Sequence, residues 1–124
     1  MNPRKAQLRD PDRARHMVEA ASLVLQFVEE RNFQDLLTDK LLQSGVERQL
    51  EILGEAAAHV SPDTQALWPS IPWRAIKSFR NLLAHEYFRT DYTEVWDVAQ
   101  RLLPELLPTL KELFADLNQR FGPA

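Results

Sequence analysis

Apolar residues recur at intervals of three and four along almost the whole chain, and this spacing constrains the fold more than any other feature. On an α-helix a side chain repeats its direction after three or four residues, whereas on a strand it repeats after two. The chain also holds only 3 glycines and few runs of β-branched residues. The sequence therefore predicts an all-α protein, a bundle of four or five helices.

The first predicted helix begins at Asp10-Pro11, with the carboxylate as its cap and the proline in its first turn. It is expected to run to about Arg31. One face of this helix carries the apolar residues of the expected core: Met17, Ala20, Ala21, Val24, Phe27 and Val28.

A second, longer helix is predicted from Phe33 or Gln34 to Val60. Its expected apolar stripe is Leu37, Leu41, Val46, Leu50, Leu53, Ala57 and Val60. Gly45 and Gly54 lie inside it, and each costs about 1 kcal/mol relative to alanine. The glycines indicate either a tolerated weakness or a close approach of another helix, and the sequence favours neither.

Ser61-Pro62-Asp63 is expected to end the second helix, and residues 68–72 to form a rigid connector. Pro72 suits the first position of a third helix, which would end near Ala84 or His85. The core side of this helix is expected to be Trp73, Ile76, Phe79 and Leu83.

Asp91 and Glu94 have the spacing of an acidic capping box, which predicts another helix start. Pro104 either kinks this helix or begins a new one. The apolar positions expected in this last region are Tyr92, Val95, Ala99, Leu102, Leu106, Leu110, Leu113 and Leu117.

Length and composition indicate one folded domain covering residues 1–124, because 44% of the residues are hydrophobic and 27% are charged. The chain has 0 cysteines, which excludes disulfides and thiolate chemistry. The first apolar stretch, Met17 to Val28, is too short and too polar to span a membrane, and no signal peptide precedes it. We therefore expect a cytoplasmic protein without a membrane partner.

The charge distribution is uneven. A formal net charge of −3 argues against nonspecific binding of nucleic acid. Between Pro72 and Thr90, however, four basic residues face a single acid, a local balance of +3. The charged residues of this segment are Arg74, Lys77, Arg80, Glu86 and Arg89. Charge alone favours a solvated helix face, but the segment also contains the chain's most reactive set of side chains.

Arg80, His85 and Tyr87 lie within eight residues of one another. Arginine suits phosphate oxygens and histidine transfers protons near neutral pH, so together they can cleave a phosphoester without a metal. In an unbroken α-helix His85 would point about 140° away from Arg80, while Asn81 would lie one turn from His85 and orient its imidazole. Either the helix ends near Ala84, or a second chain supplies one of the groups.

Spacing alone favours a structural explanation, in which the histidine interacts with a helix terminus and the tyrosine packs. Other sites are weaker still. His16 lies in a charged turn and His59 near a helix end. No histidine or acidic set has the spacing of metal ligands, and there is no glycine-rich phosphate loop, so we expect neither a metal nor a cofactor.

Four segments resemble HepT-like toxins of the HEPN ribonuclease superfamily, over about residues 8–118, and the last of them is LPEL at residues 103–106. Residues 46–62, VERQLEILGEAAAHVSP, resemble the signature of that family's second helix. Residues 68–88, WPSIPWRAIKSFRNLLAHEYF, resemble its central block, and residues 91–97 fit the segment that follows. The resemblance implies a HEPN bundle that acts as a homodimer, with the two motifs facing each other in a metal-independent site that cleaves RNA.

On this resemblance Arg80 and His85 are the catalytic residues, and Tyr87 accepts AMP from a partner antitoxin, a minimal nucleotidyltransferase. The residues assigned to binding or orienting the substrate are Asn81, Tyr87, Lys77 and Arg74. Glu86 places a carboxylate between His85 and Tyr87, at a position that varies in such motifs, and is interpreted as a local electrostatic modifier and not as a catalytic acid. Two alternatives remain: a noncatalytic helical module that binds a nucleotidyltransferase and positions nucleotide or substrate, and a dimeric bundle whose motif has lost activity.

Overall fold

The computed structural model describes residues 7–82 and 90–122, apart from the side chain of Arg80. Helices make up most of these residues, and no strand occurs among them. The elements are α1 (Asp10–Val28), α2 (Phe33–Thr38), α3 (Lys40–His59), α4 (Pro62–Leu67), α5 (Trp73–Lys77), a 3₁₀ helix (Ser78–Leu82), α6 (Tyr92–Asp97), a π-helical turn (Val98–Leu102) and α7 (Leu103–Phe121). The predicted all-α bundle is confirmed.

Three long helices form the framework. α1 packs most extensively on α3 and next on α7, while α5 and the 3₁₀ helix lie against α3. Fully buried alanines on α1, among them Ala14 and Ala21, let its neighbours approach closely. None of the helices in the described part is long and apolar enough to cross a membrane.

The predicted apolar faces agree with the core at most positions. Leu106, Leu110, Leu113 and Leu117 on α7 are all at most 5% exposed, as the spacing predicts. Burying each leucine contributes roughly 1.5–3 kcal/mol, so this one stripe is a large part of the stabilisation of the bundle. The predicted residues that are only partly buried are Phe27, Tyr92 and Leu102.

The predicted second helix is in fact two helices, which meet at Asp39. Asp39 Oδ1 accepts hydrogen bonds from the backbone N–H groups of Leu41 (3.0 Å) and Leu42 (3.2 Å) and so caps α3. The Leu42 N–H, followed by the Arg31 guanidinium, holds the pKa of the Asp39 carboxyl below its usual value. Because the chain turns here, Leu37 and Leu41 are 42% and 84% exposed, so their predicted place in the core was wrong.

Ser61-Pro62-Asp63 ends α3 but also starts a short helix that the sequence analysis did not predict. Ser61 Oγ accepts a hydrogen bond from the backbone N–H of Thr64, and Pro62 occupies the first turn of α4. The rigid connector that follows is as predicted. There the Trp73 indole N–H donates to the backbone oxygen of Trp68 at 3.0 Å, which fixes the entry into α5.

Pro104 lies in the first turn of α7, so the alternative in which it begins a new helix is confirmed, although the chain is already helical before it. The π-helical turn immediately precedes it, and the N–H of Leu103 donates to the oxygen of Val98 in the wider π pattern. Proline has no N–H and its ring clashes with the carbonyl four residues earlier, and a π-turn relieves such a conflict by adding one residue to the turn. The chain therefore remains helical from Tyr92 to Phe121.

Asp10 does not cap α1, contrary to the sequence prediction. Its side chain is fully buried, and its carboxyl group accepts three hydrogen bonds from the start of α4. Oδ1 accepts from the backbone N–H of Ser61 at 2.9 Å, and Oδ2 accepts from the hydroxyls of Ser61 at 2.6 Å and Thr64 at 2.5 Å. Asp10 thus ties the beginning of α1 to the junction of α3 and α4.

Candidate active site

Two of the predicted substrate-binding residues lie on α5. Arg74 is exposed, beside the shallow surface that Pro72 and Trp73 form. Lys77 is half-buried, and its ammonium group donates to Oε1 of Gln65 on α4 at 2.9 Å. Arg74 is therefore available to phosphate at the surface, whereas Lys77 would have to leave a hydrogen bond.

Arg80 and Asn81 follow on the 3₁₀ helix, where the side chain of Asn81 is exposed. The α-helical geometry ends at Lys77, and the chain continues as a 3₁₀ helix to Leu82, so the unbroken α-helix considered from the sequence is not found up to this point. A 3₁₀ helix has about 3.0 residues per turn instead of 3.6. α-Helical spacing therefore does not apply at Asn81, and the predicted contact of Asn81 with His85 lies outside the described residues.

His85, Glu86 and Tyr87 lie outside the described residues, as do Leu83 and the predicted helix end. The structure describes the chain on both sides of residues 83–89, up to Leu82 and from Thr90 onward. The backbone N–H of Asp91 donates to the backbone oxygen of Leu82 at 2.9 Å. The two flanks of the motif segment are thus joined directly to each other.

The upstream flank is held against α3 at Gly54. A Cβ atom at Gly54 would lie 3.1 Å from the backbone oxygen of Ile76, closer than ordinary van der Waals contact. Gly45, at 3.1 Å from the ring of Phe27, has a similar role against α1. Both glycines permit close approach, which decides between the two explanations that the sequence left open. The buried ring of Phe79 continues this contact next to Arg80.

The downstream flank is held against the same helix by Glu47. Its Oε1 accepts from the hydroxyl of Thr90 at 3.0 Å, and its Oε2 accepts from the hydroxyl of Tyr92 at 3.1 Å. Thr90 is 9% exposed, and Tyr92 is half-buried against the core, as the spacing predicts. Burial, followed by the charge of Glu47, raises the pKa of the Tyr92 hydroxyl.

A second polar region, between α1 and α3, is a cleft of about 350 Å³ lined by both other histidines, His16 and His59. Its charges are largely balanced within it. The guanidinium of Arg48 lies 3.3 Å from Glu51, and His59 lies 3.7 Å from the carboxylate of Glu55. The net field at this cleft is therefore too small to favour it over the basic segment as a site for phosphate.

The fold and this segment together define a class: an all-α bundle that fixes both flanks of an Arg-x4-His-x-Tyr motif on one long helix. Comparison with known families agrees. The chain matches the family described as "Ribonuclease HepT-like" over residues 17–113, and it belongs to this family. The assignment places the protein among the ribonucleases, and it confirms the resemblance found in the sequence.

Curated relatives support the same assignment. The chain is 38% identical to a "Probable ribonuclease HepT" from Thermococcus cleftensis, over 83% of this chain and 90% of the relative. It is 30% identical to candidate RNases of Methanocaldococcus jannaschii, over 73% of this chain and 83% of the relative, and of Caldanaerobacter subterraneus, over 79% and 88%. No solved structure matched the chain significantly.

Proposed function

We propose that this protein is the toxin of a toxin–antitoxin pair and acts as a metal-independent endoribonuclease. The observation that carries the proposal is the ribonuclease family match over residues 17–113, which includes Arg80, His85 and Tyr87. The contacts at the flanks support it. Leu82 and Asp91 are hydrogen-bonded to each other, so the motif segment starts and ends at a fixed place on the bundle.

In the proposed reaction the ribose 2′-hydroxyl attacks the adjacent phosphorus. His85 takes the proton of this hydroxyl, and the bond from phosphorus to the 5′-oxygen breaks. The departing oxygen receives a proton and leaves as a 5′-hydroxyl, while the other product ends in a 2′,3′-cyclic phosphate. Arg80 stabilises the negative charge that develops on the phosphate oxygens.

The neighbouring cations would hold the RNA backbone on either side of the cleaved bond. Arg74 is exposed one turn ahead of Lys77 and can meet phosphates upstream of Arg80, and Lys77 can join it by leaving its hydrogen bond to Gln65. Asn81 is exposed beside Arg80 and can orient a base or ribose. Since the overall charge is −3, binding would depend on this local cluster and would weaken as salt increases.

We place the active site at the interface of a homodimer. A single small acidic chain offers little basic surface, whereas two segments with a balance of +3 each would form one larger groove. Arg80 and His85 of both chains would line this groove.

The simplest test incubates the purified protein with RNA in the presence of EDTA. We expect cleavage to persist and to yield 2′,3′-cyclic phosphate ends, detectable by mass spectrometry of the fragments. Absence of cleavage, together with tight binding of a small nucleotidyltransferase, would instead favour the noncatalytic module. Cleavage that EDTA abolishes would contradict the metal-independent mechanism.

The proposed antitoxin is a minimal nucleotidyltransferase that transfers AMP from ATP to Tyr87. We expect intact-mass and peptide spectra after incubation with this partner and ATP to place at least one AMP on the Tyr87 peptide, and RNA cleavage to stop. The added phosphate would introduce bulk and negative charge into the basic segment. Tyr87→Phe should lose the modification and stay active in the presence of the partner.

Tyr92 provides the internal control for this prediction. Tyr92 is half-buried and its hydroxyl donates a hydrogen bond to Glu47, so Tyr92 should be a poor acceptor of AMP. Tyr92→Phe is expected to be modified like the wild-type protein. Modification confined to the Tyr92 peptide would show that the acceptor has been assigned to the wrong tyrosine.

A further inference from the structure

We propose that Glu47 is a positioning residue for RNA cleavage, which sets the place where the motif segment returns to the bundle. This inference rests on the proposed function, because it assumes that Arg80 and His85 carry the chemistry. Glu47 lies on α3, and within the described part of the chain its carboxylate is hydrogen-bonded to Thr90 and Tyr92, at the downstream flank of the segment. Its role is therefore to hold the geometry of other residues.

Both oxygens of the Glu47 carboxylate bind this flank. Oε1 accepts a hydrogen bond from the hydroxyl of Thr90 at 3.0 Å, and Oε2 accepts one from the hydroxyl of Tyr92 at 3.1 Å. Thr90 and Tyr92 stand on either side of Asp91 in the sequence. The backbone N–H of Asp91 donates to the backbone oxygen of Leu82 at 2.9 Å. Three consecutive residues are thus fixed by contacts that lead directly to the other flank of the motif.

Glu47 and Gly54 together explain why both flanks lie at one place on α3. They are seven residues apart, which is about two helical turns, so they face nearly the same direction. Gly54 leaves room for the backbone of α5 at Ile76. Glu47 accepts a hydrogen bond from Thr90, where the chain returns to α3. One face of a rigid helix therefore defines the distance between the start and the end of the motif segment.

Such control matters because catalysis depends strongly on the relative position of the reacting groups. A displacement of about 1 Å can cost on the order of 10²-fold in rate. Glu47 lies in the half-buried layer of α3, where water can replace part of its hydrogen bonding when it is removed. Its loss should therefore disturb the position of the motif more than the stability of the bundle.

The first experiment measures hydrogen exchange and needs no activity. In Glu47→Ala the amide of Asp91, which donates to Leu82, should exchange at least about tenfold faster than in the wild-type protein. The amides of Leu50 and Leu53, within the core of α3, should keep their protection. Unchanged protection at Asp91 would overturn the proposed anchor, whatever the protein does to RNA.

The second experiment measures RNA cleavage. We expect Glu47→Ala to lower kcat by about 10- to 10²-fold with a much smaller change in KM. Thr90→Val and Tyr92→Phe should each lower kcat less, and combining both with Glu47→Ala should add little, because all three remove the same contacts. Additive losses, or a wild-type kcat in Glu47→Ala, would contradict positioning by this residue.

Glu51→Ala is the matched control. Glu51 is the next acid on α3, its side chain is 55% exposed, and it pairs with Arg48 and not with the motif flank. It should leave kcat and the exchange at Asp91 unchanged. Wild-type protein that does not cleave RNA would count against the proposed function alone, since the exchange measurement would still decide the role of Glu47.

A spectroscopic measurement reports the contact itself. In a Tyr87→Phe background Tyr92 is the remaining tyrosine, so its ionisation can be followed by carbon NMR. Glu47→Gln should lower the pKa of Tyr92, because it removes a charge, but leave it above the usual 10.0, because burial persists. No change in this pKa would mean that Glu47 does not hold Tyr92 in solution.

Discussion

Arg80→Ala and His85→Ala should each lower RNA cleavage by at least ~10²-fold while the protein stays folded. Arg80 would stabilise charge on the phosphate and His85 would transfer the proton, whereas the charges of the cleft that holds His16 and His59 are largely balanced within it. The measurement is the single-turnover rate on a labelled RNA, with circular dichroism to verify the fold. Cells that express either variant should also grow without the inhibition that we expect from the wild-type toxin.

Two exposed residues serve as matched controls. Arg101, with a side chain 78% exposed and paired with Asp97, tests the loss of an arginine away from the motif. His59, at the end of α3 with Nδ1 2.8 Å from the backbone oxygen of Glu55, tests the loss of a histidine. Arg101→Ala and His59→Ala should cleave RNA at close to the wild-type rate. A folded His85→Ala protein that does the same would show the histidine assignment to be wrong.

The double variant gives a sharper test of how the two residues cooperate. If Arg80 and His85 act on one transition state, removing both should cost little more than removing either. If they have separate roles, such as RNA binding and catalysis, the two losses should multiply. Measuring KM and kcat for each single variant then identifies which residue acts in binding.

The sequence predicted the helices because burial alone imposes their period. The stripe from Leu106 to Leu117 is correct because each position faces the same core along one continuous helix. Leu37 and Leu41 were misassigned because Asp39 ends one helix and caps the next between them. Leucine spacing cannot distinguish a long helix from two short ones when a capping side chain interrupts it.

The same limit applies to Ser61-Pro62-Asp63, which has the residues of a helix end and of a helix start at once. The sequence did not decide how the chain passes Pro104, because a proline can be accommodated in more than one way, and the structure places a π-turn before it. At Ser61-Pro62-Asp63 only the helix end was recognised, and at Pro104 two alternatives were left open. What decided the outcome was the packing of the surrounding helices.

The sequence likewise predicted one part of the candidate site and missed another. The motif is visible in the sequence because its residues lie within eight positions of one another. Glu47 was not found because it is 43 and 45 residues away from the hydroxyls that it accepts. Nothing in the composition of α3 distinguishes Glu47 from Glu51, and only the fold brings one of them to the flank of the motif.

The largest expected change in stability comes from Asp10→Ala. The substitution would leave three buried donors of Ser61 and Thr64 without their acceptor, and each such donor can cost about 1–3 kcal/mol. Because these costs are not additive, we expect a loss of about 3 kcal/mol in the free energy of unfolding, and roughly 10 °C in the melting temperature. Urea unfolding at matched protein concentration measures this directly.

Asp10→Asn separates the shape of this side chain from its hydrogen bonding. Asparagine keeps one acceptor oxygen but presents an amide N–H₂ to the second set of donors, so the loss should be roughly half as large. Asp12→Ala, two residues along the same helix, is the control. Its side chain is 69% exposed and pairs with Arg15 only at 3.6 Å, so the free energy of unfolding should change by no more than about 0.5 kcal/mol.

The Asp10 variants also test whether stability and catalysis are separate in this bundle. Asp10 joins α1 to the junction of α3 and α4, whereas the motif flanks contact α3 at Gly54 and Glu47. Well below its melting temperature, Asp10→Ala should therefore cleave RNA at a rate within a few-fold of wild type. A melting temperature equal to wild type would refute the anchoring role of Asp10. A stable variant with lost activity would show instead that this junction reaches the active site.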